Sequence, residues 1–179
     1  MFSIDLKIFN FIHQLAGHNR LLDLLGIFLA DYSGYILALM AVFLIFSSKK
    51  FKDNIYNLAF VSLILLLSRG IISESIRFFF PRIRPFVRLG FEPLIAQSAS
   101  EASMPSGHMA FFFGLGFALY YLGQKRWAYI FMAVSFLMGV GRVFVGVHWP
   151  FDIVIGIVIA FISAFIVNLL LVTKKPQIQ

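Results

Sequence analysis

The sequence predicts an all-α integral membrane protein: a bundle of about five transmembrane helices, an interfacial helix at the N-terminus, and room for a sixth short membrane helix. Two observations carry this. The 179 residues are 60% hydrophobic and only 13% charged, whereas soluble domains run nearer half apolar and a quarter charged. Five apolar stretches also approach the roughly 20 residues that a bilayer core requires. A water-soluble fold of this length lacks the interior to hide so much apolar surface. A third observation narrows the chemistry: there is no cysteine, which excludes disulfides and thiolate metal sites and leaves the redox compartment open. The net charge of +7 would suggest nucleic acid in a soluble protein. Here the basic residues lie between apolar segments, so membrane lipids are the expected partners and nucleic acid is not.

We read residues 1–179 as a single membrane-embedded domain. Residues 1–20 form the interfacial helix, with Ile4, Ile8, Phe11, Ile12 and Leu15 roughly on one face of a segment too short to span. Asp5 stands where a signal peptide would be basic, and no clear small-residue cleavage site follows, so no cleaved leader is expected. The first span, residues 21–46, is interrupted by Asp31, Ser33 and Gly34 and is expected to bend there. The second, 55–76, carries Arg69 and Glu74 in its later part. Residues 77–105 form a long loop with four arginines. The third and fourth spans, 106–122 and 127–143, are short with polar residues at one end, which predicts ends sunk below the lipid surface and facing a cavity. In the last span, 151–172, Gly156, Ala160 and Ala164 recur every fourth residue as a helix-packing stripe. Gly114 and Gly116 are expected to serve close packing, and the tail TKKPQIQ to be a solvated end.

Loop charges orient the bundle. One face collects Lys49, Lys50, Lys52, Lys125, Arg126, Lys174 and Lys175. The other collects Lys7, Arg20, Arg77, Arg82, Arg84, Arg88 and Arg142, an equal number. The first set lies at plain short turns and the tail, as topology signals do. Most of the second surrounds polar motifs, as ligand-binding arginines would. The first face is therefore read as cytoplasmic, and the polar motifs point outward.

Three polar clusters break the apolar pattern: RFFFPRIRP from Arg77 to Pro85, PSGH from Pro105 to His108, and GRVFVGVHWPFD from Gly141 to Asp152. If the spans alternate, all three emerge on one side. Arg77, Arg84 and Arg142 offer permanently charged planar forks that suit phosphate oxygens. Pro81 and Pro85 stiffen the segment that carries two of them. Arg82 and Arg88 are read instead as lipid-contacting or topology-setting residues. Pro105 suits the first turn of a helix, leaving the N–H groups of Ser106, Gly107 and His108 free for an anion. An ordinary N-cap with an interfacial His108 is an equal reading of that segment. His148 and Asp152 are four residues apart and share a helix face, where a carboxylate can fix an imidazole tautomer. Asp152 also suits a cap after Pro150. Zinc held by both histidines and Asp152 is an alternative, opposed by the nearby arginines. Glu74, one helical turn before Arg77, could orient it or could pair with Arg69.

Together these parts suit hydrolysis of a phosphate ester or phosphoanhydride through a phosphohistidine. Their spacing resembles the type 2 phosphatidic acid phosphatase superfamily of membrane lipid phosphatases. Its signature is a basic residue, six residues and Arg-Pro; Pro-Ser-Gly-His; and Ser-Arg, five residues, His, three residues and Asp. The chain supplies Arg77 with Arg84-Pro85, the complete Pro105-Ser106-Gly107-His108, and Arg142 with His148 and Asp152. The resemblance implies that His148 is the nucleophile, that Asp152 orients it, and that His108 is general acid and then base. It implies that Arg77, Arg84, Ser106, Gly107 and Arg142 hold phosphate, and that no metal or other cofactor is needed. Two departures stand out. Arg77 replaces the usual lysine, and Gly141 replaces the serine before Arg142, which would weaken one phosphate contact. The short chain, the opening IFNFIHQLAGHNRLLD and the stretch RPFV further resemble the bacitracin-resistance type of undecaprenyl-diphosphatase. That resemblance implies a polyprenyl or other lipid phosphate substrate, a role in recycling the cell-wall lipid carrier, and a multi-pass place in a bacterial cytoplasmic membrane with the site facing outside. A phosphatase for phosphatidylglycerol phosphate, phosphatidate or lipid A, a noncatalytic anionic-lipid transporter or flippase, and a metallophosphatase are the alternatives.

Overall fold

The structure is a computed structural model that describes residues 3–172; the tail expected to be solvated, with Lys174 and Lys175, lies outside them. The described residues contain helices and no strand. Helix α1 spans Ser3–His13. Helix α2 runs over Arg20–Ile45 and starts at Asn19, whose side-chain oxygen accepts the N–H groups of Leu21 at 2.9 Å and Leu22 at 3.3 Å. The interruption expected at Asp31 and Ser33 is a π-helical turn, Phe28–Tyr32, where Ser33 Oγ donates back to Leu29 O at 2.7 Å. Helix α3 covers Phe51–Phe79 with a second π segment, Leu66–Ile72, and stops before Pro81. A short helix α4, Pro85–Leu89, closes on Gly90 in the left-handed conformation, φ 71°. Helices α5, α6 and α7 occupy Gly107–Tyr121, Lys125–Phe144 and Pro150–Val172.

Among the described residues, four helices, α2, α3, α6 and α7, are long and apolar enough to cross a membrane. Hydropathy alone would make α5 a fifth. At 15 residues it rises only about 22 Å, short of a full hydrocarbon core. It is also the centre of the bundle. Met109, Ala110, Leu115, Ala118 and Leu119 along it are almost wholly buried, and it packs against α3, α6 and α7. It is short because its first turn begins at the floor of a cavity. The expected Gly156 stripe packs here: a side chain on Gly156 would stand 2.7 Å from Ser106 O and 2.7 Å from Met109 Cβ, so α7 meets α5 through that bare backbone. Ala160 and Ala164 extend the same buried face.

Apolar side chains on the outer surface of the bundle, among them Leu21, Leu39, Phe43 and Leu170, are exposed, as a lipid-facing perimeter requires. The same holds for α1. Its apolar stripe, Ile4, Ile8 and Phe11, faces outward, while Phe9 and Asp5 face the bundle and are buried. Phe9 packs on Trp149, with ring centroids 4.9 Å apart.

Helix ends sort into two sets. Gln124, in the α5–α6 turn, donates to Leu44 O at the end of α2 at 3.3 Å, which puts the lysine-bearing turns together. At the other end Ser106 N–H donates to Asp152 O at 3.0 Å, which joins the starts of α5 and α7. The loop 80–106 folds over this second end through Leu94 N–H to Val145 O at 3.1 Å and Ser103 N–H to Arg82 O at 2.8 Å.

Candidate active site

The three polar clusters meet in one cavity of about 250 Å³. Arg77 comes from the last turn of α3, Arg84 from the segment before α4, Gly107 and His108 from the first turn of α5, Arg142 from the last turn of α6, and His148 from the α6–α7 connection. Of the residues singled out from sequence, Ser106 and Asp152 stand behind the cavity wall, both fully buried.

Each arginine is held by groups around the cavity. Arg84 sits in extended conformation before Pro85; its Nη1 donates to Val147 O at 3.0 Å and its Nε to Glu101 O at 3.1 Å. Burial lowers the pKa of this guanidinium from its usual value, with Glu101 opposing. Arg77 donates to Pro105 O at 3.0 Å and to Glu74 Oε1 at 3.0 Å. Glu74 also pairs with Arg69, so both readings of that carboxylate hold. Arg142 donates from Nη1 to Ala30 O at 3.2 Å and from Nη2 to Gln97 Oε1 at 3.2 Å. Its Nη1 also lies 3.2 Å from His108 Nε2. Because a guanidinium only donates, His108 Nε2 is the acceptor and carries no proton in this arrangement.

The helix start differs from the sequence reading. Pro105 precedes the N-cap, Ser106, and the helix begins at Gly107. The Ser106 N–H is taken by Asp152 O, so the open donors are those of Gly107 and His108. Two arginine side chains lie close over Gly107. A Cβ there would come within 2.6 Å of Arg69 Nε and 2.9 Å of Arg77 Nη2.

Asp152 caps α7 and faces the His148 ring. Its Oδ2 accepts the Trp149 N–H at 2.9 Å, capping α7, and the Ser103 hydroxyl at 2.8 Å. The same oxygen faces His148 Nδ1 at 3.5 Å, at the long edge of hydrogen-bond distance. That leaves His148 Nε2 as the nitrogen open to the cavity. Burial pushes the His148 imidazole down to about 4, with Asp152 pulling upward and Arg142 adding to the fall. The imidazole is thus neutral across the physiological range.

Arg82 corrects the sequence reading. It is not a lipid-contacting arginine. Its Nη1 donates to Asp152 Oδ1 at 2.6 Å, its Nη2 pairs with Asp5 of α1, and its guanidinium lies 5.3 Å over the Trp149 ring. Asp5 in turn accepts the Phe151 N–H at 2.9 Å. A carboxylate in a membrane-surface helix is costly to bury unless paired, and that was the available sign. Gln97 and Glu101, also in the cavity wall, had no such sign in the loop composition; Arg69, likewise in the wall, was marked by its charge within the second span.

Gly141 also needs a different explanation from a lost phosphate contact. A Cβ there would stand 2.9 Å from Ala30 N and 3.2 Å from Gly26 O, backbone atoms of α2 that cannot swing aside. Gly141→Ser should therefore force α2 and α6 apart, costing about 1–3 kcal/mol, and should not raise activity. Thermal melting in detergent checks this; a serine variant that melts like the parent would show that the helices have room.

A sequence model of the PAP2 superfamily matches residues 56–176. The undecaprenyl-diphosphatase BcrC of Bacillus subtilis is 30% identical over 91% of this chain and 82% of its own. The bacitracin transport permease protein BcrC of Bacillus licheniformis is 26% identical over 92% and 79%. The crystal structure of Aquifex aeolicus LpxE superposes with a TM-score of 0.74 at 26% identity, covering 93% of this chain and 95% of that one. The matched region runs from within α3 to beyond α7 and contains all three clusters around the cavity, and on that ground the chain belongs to the PAP2 superfamily, as a multi-pass membrane phosphatase.

Proposed function

We propose that the protein is a membrane lipid phosphatase that removes the terminal phosphate of a polyprenyl diphosphate, undecaprenyl diphosphate in a bacterial cytoplasmic membrane, through a phosphohistidine on His148. The observation that carries this reading is the convergence of His148, His108 and three arginines on one cavity. The name of the Bacillus subtilis relative supports the choice of substrate.

The terminal phosphoryl group would sit among Arg77, Arg84, Arg142 and the N–H groups of Gly107 and His108. These match the charge that spreads over its outer oxygens in the transition state. His148 Nε2 attacks phosphorus while Asp152 receives the Nδ1–H and stabilises the cation that forms. The bond from phosphorus to the bridging oxygen breaks, its electron pair leaves with the polyprenyl phosphate, and His108 supplies the proton. Water then attacks the phosphohistidine, His108 takes its proton, the P–Nε2 bond breaks with its electron pair returning to His148, and inorganic phosphate departs. His108 is held by Arg142 in the empty site. Phosphate drawing that guanidinium away would free His108 Nε2 to carry a proton. The lysine-bearing turns lie at the end opposite the cavity, which supports a site opening to the outside.

The test is phosphate release by purified protein reconstituted in vesicles with undecaprenyl diphosphate, phosphatidylglycerol phosphate, phosphatidate and lipid A in turn. Preference for undecaprenyl diphosphate is expected. A strong preference for phosphatidylglycerol phosphate would reject the substrate named here.

The His148 shift gives a second measurement. Its folded-state value of about 4 lies below the roughly 6.5 of a free imidazole. The nucleophile is fully neutral well above 4 and is lost as pH falls through that value. Between about 6.5 and 4 the unfolded chain binds a proton that the folded one refuses, so stability falls with falling pH. Histidine NMR on the free protein, with His148→Gln for assignment, should show this ring titrating near 4. A midpoint near 6.5 would mean that the ring is solvated.

A further inference from the structure

Arg69 belongs to none of the three motifs, yet it lies in the cavity wall. An arginine inside a spanning helix is costly and faces a polar interior. Pairing with Glu74 offsets the charge, but Glu74 is already paired with Arg77, and an arginine that served only that pair would have no need to reach the cavity. The π segment Leu66–Ile72 explains how it does so. Arg69 and Arg77 are eight positions apart; in a plain α-helix that separation leaves the two side chains about 80° apart around the axis. One extra residue in a wide turn narrows the offset to about 20°. Both guanidiniums then pass over Gly107.

The exposure of the side chains gives the path an order. His148 is 2% exposed, Arg77 16%, Arg69 39% and Phe78, at the lipid-facing rim, 80%. Arg69 and Arg77 also line a second, outer cavity of about 660 Å³ that Phe78 borders. The three motif arginines already match the three outer oxygens of one phosphoryl group. Arg69 is the most exposed of the four arginines in the cavity wall, on the open side toward which the leaving group of a substrate held at His148 extends.

We infer that Arg69 forms a second phosphate subsite, which binds the inner phosphate of a lipid diphosphate and makes the enzyme prefer diphosphates over monophosphates. This rests on the phosphatase reading above and adds the residue that selects the substrate class. The leaving oxygen gathers charge as the phosphoanhydride breaks, and Arg69 with its planar fork is placed to neutralise it.

The probes are farnesyl diphosphate and farnesyl monophosphate, which share one tail. The readout is the ratio of their kcat/KM values in reconstituted wild type, Arg69→Ala and Arg69→Lys. Arg69→Ala should lower the diphosphate-to-monophosphate ratio by about tenfold or more, with Arg69→Lys in between. A parallel fall on both probes would overturn the inference, because Arg69 would then serve only to hold Glu74 and Arg77. No change on either probe would overturn it too. A wild-type protein that cleaves the monophosphate but not the diphosphate defeats the diphosphatase reading as well, so the two failures are told apart. If Arg69→Ala does not fold, judged by melting in detergent, Arg69→Lys against Arg69→Gln decides the ratio.

Discussion

His148→Ala should yield a folded protein that still binds lipid phosphates and releases no measurable phosphate, a loss of about 10³-fold or more. The argument is chemical before it is structural. The arginines and helix N–H groups can hold a phosphate dianion without the imidazole, so binding survives. Bond making at phosphorus needs a nucleophile that is neutral, oriented and free of water. His148 is buried, faces Asp152 through Nδ1 and leaves Nε2 toward the cavity. Water entering the vacated space would attack slowly from an unaligned position. Two readouts make the result specific. Phosphate release from reconstituted vesicles measures turnover, and a labelled terminal phosphate quenched in alkali traps phosphohistidine in the wild type and not in the variant. Hydrolysis surviving at near-normal rate would mean that another group attacks phosphorus. A melting curve in detergent guards against the simple loss of fold.

Arg82→Ala should be the most destabilising single change outside the packed core. It strips the cation from two carboxylates at once, Asp152 and Asp5, both almost fully buried. Breaking a buried pair costs about 3–5 kcal/mol, because the remaining charge is left without a partner. Two effects must be separated. Arg82 ties α1 to the bundle through Asp5, which is structural. It also fixes Asp152 Oδ1 and so leaves Oδ2 aimed at His148, which bears on catalysis. Asp5→Asn removes the first role and spares most of the second. We expect Asp5→Asn to lower the melting temperature with a small change in kcat. Arg82→Ala should lower the melting temperature further and reduce kcat about 10- to 100-fold at temperatures where the protein is folded. The double variant should be less destabilised than the sum of the two, since the shared ion pair is lost only once. Equal kcat values for both single variants would reduce Arg82 to a strap for α1.

Much of this protein was determined by its sequence alone. A bilayer forces backbone groups to pair within each segment, so apolar runs of spanning length could only become helices, and their ends could be read within a few residues. The interruption at Asp31 and Ser33, the packing stripe from Gly156 to Ala164, and the spacing of Arg77, Arg84, His108, Arg142, His148 and Asp152 were all legible, because each is a local pattern. What the tertiary structure decided is of another kind. Asp5 meets Arg82 across 77 positions of chain, and Arg82 meets Asp152 across 70; no periodicity announces a pair that distant. Gly141 is bare because the backbone of α2 crosses it, and α5 is short because its start is the floor of a cavity rather than a membrane surface. Arg69 reaches that cavity through a π turn, which shifts the register of a helix face without leaving a mark in the hydropathy. The sequence specifies which groups are present and where along the chain they fall. Only packing decides which of them share a low-dielectric space, and there the distance between charges, more than their identity, sets what they can do.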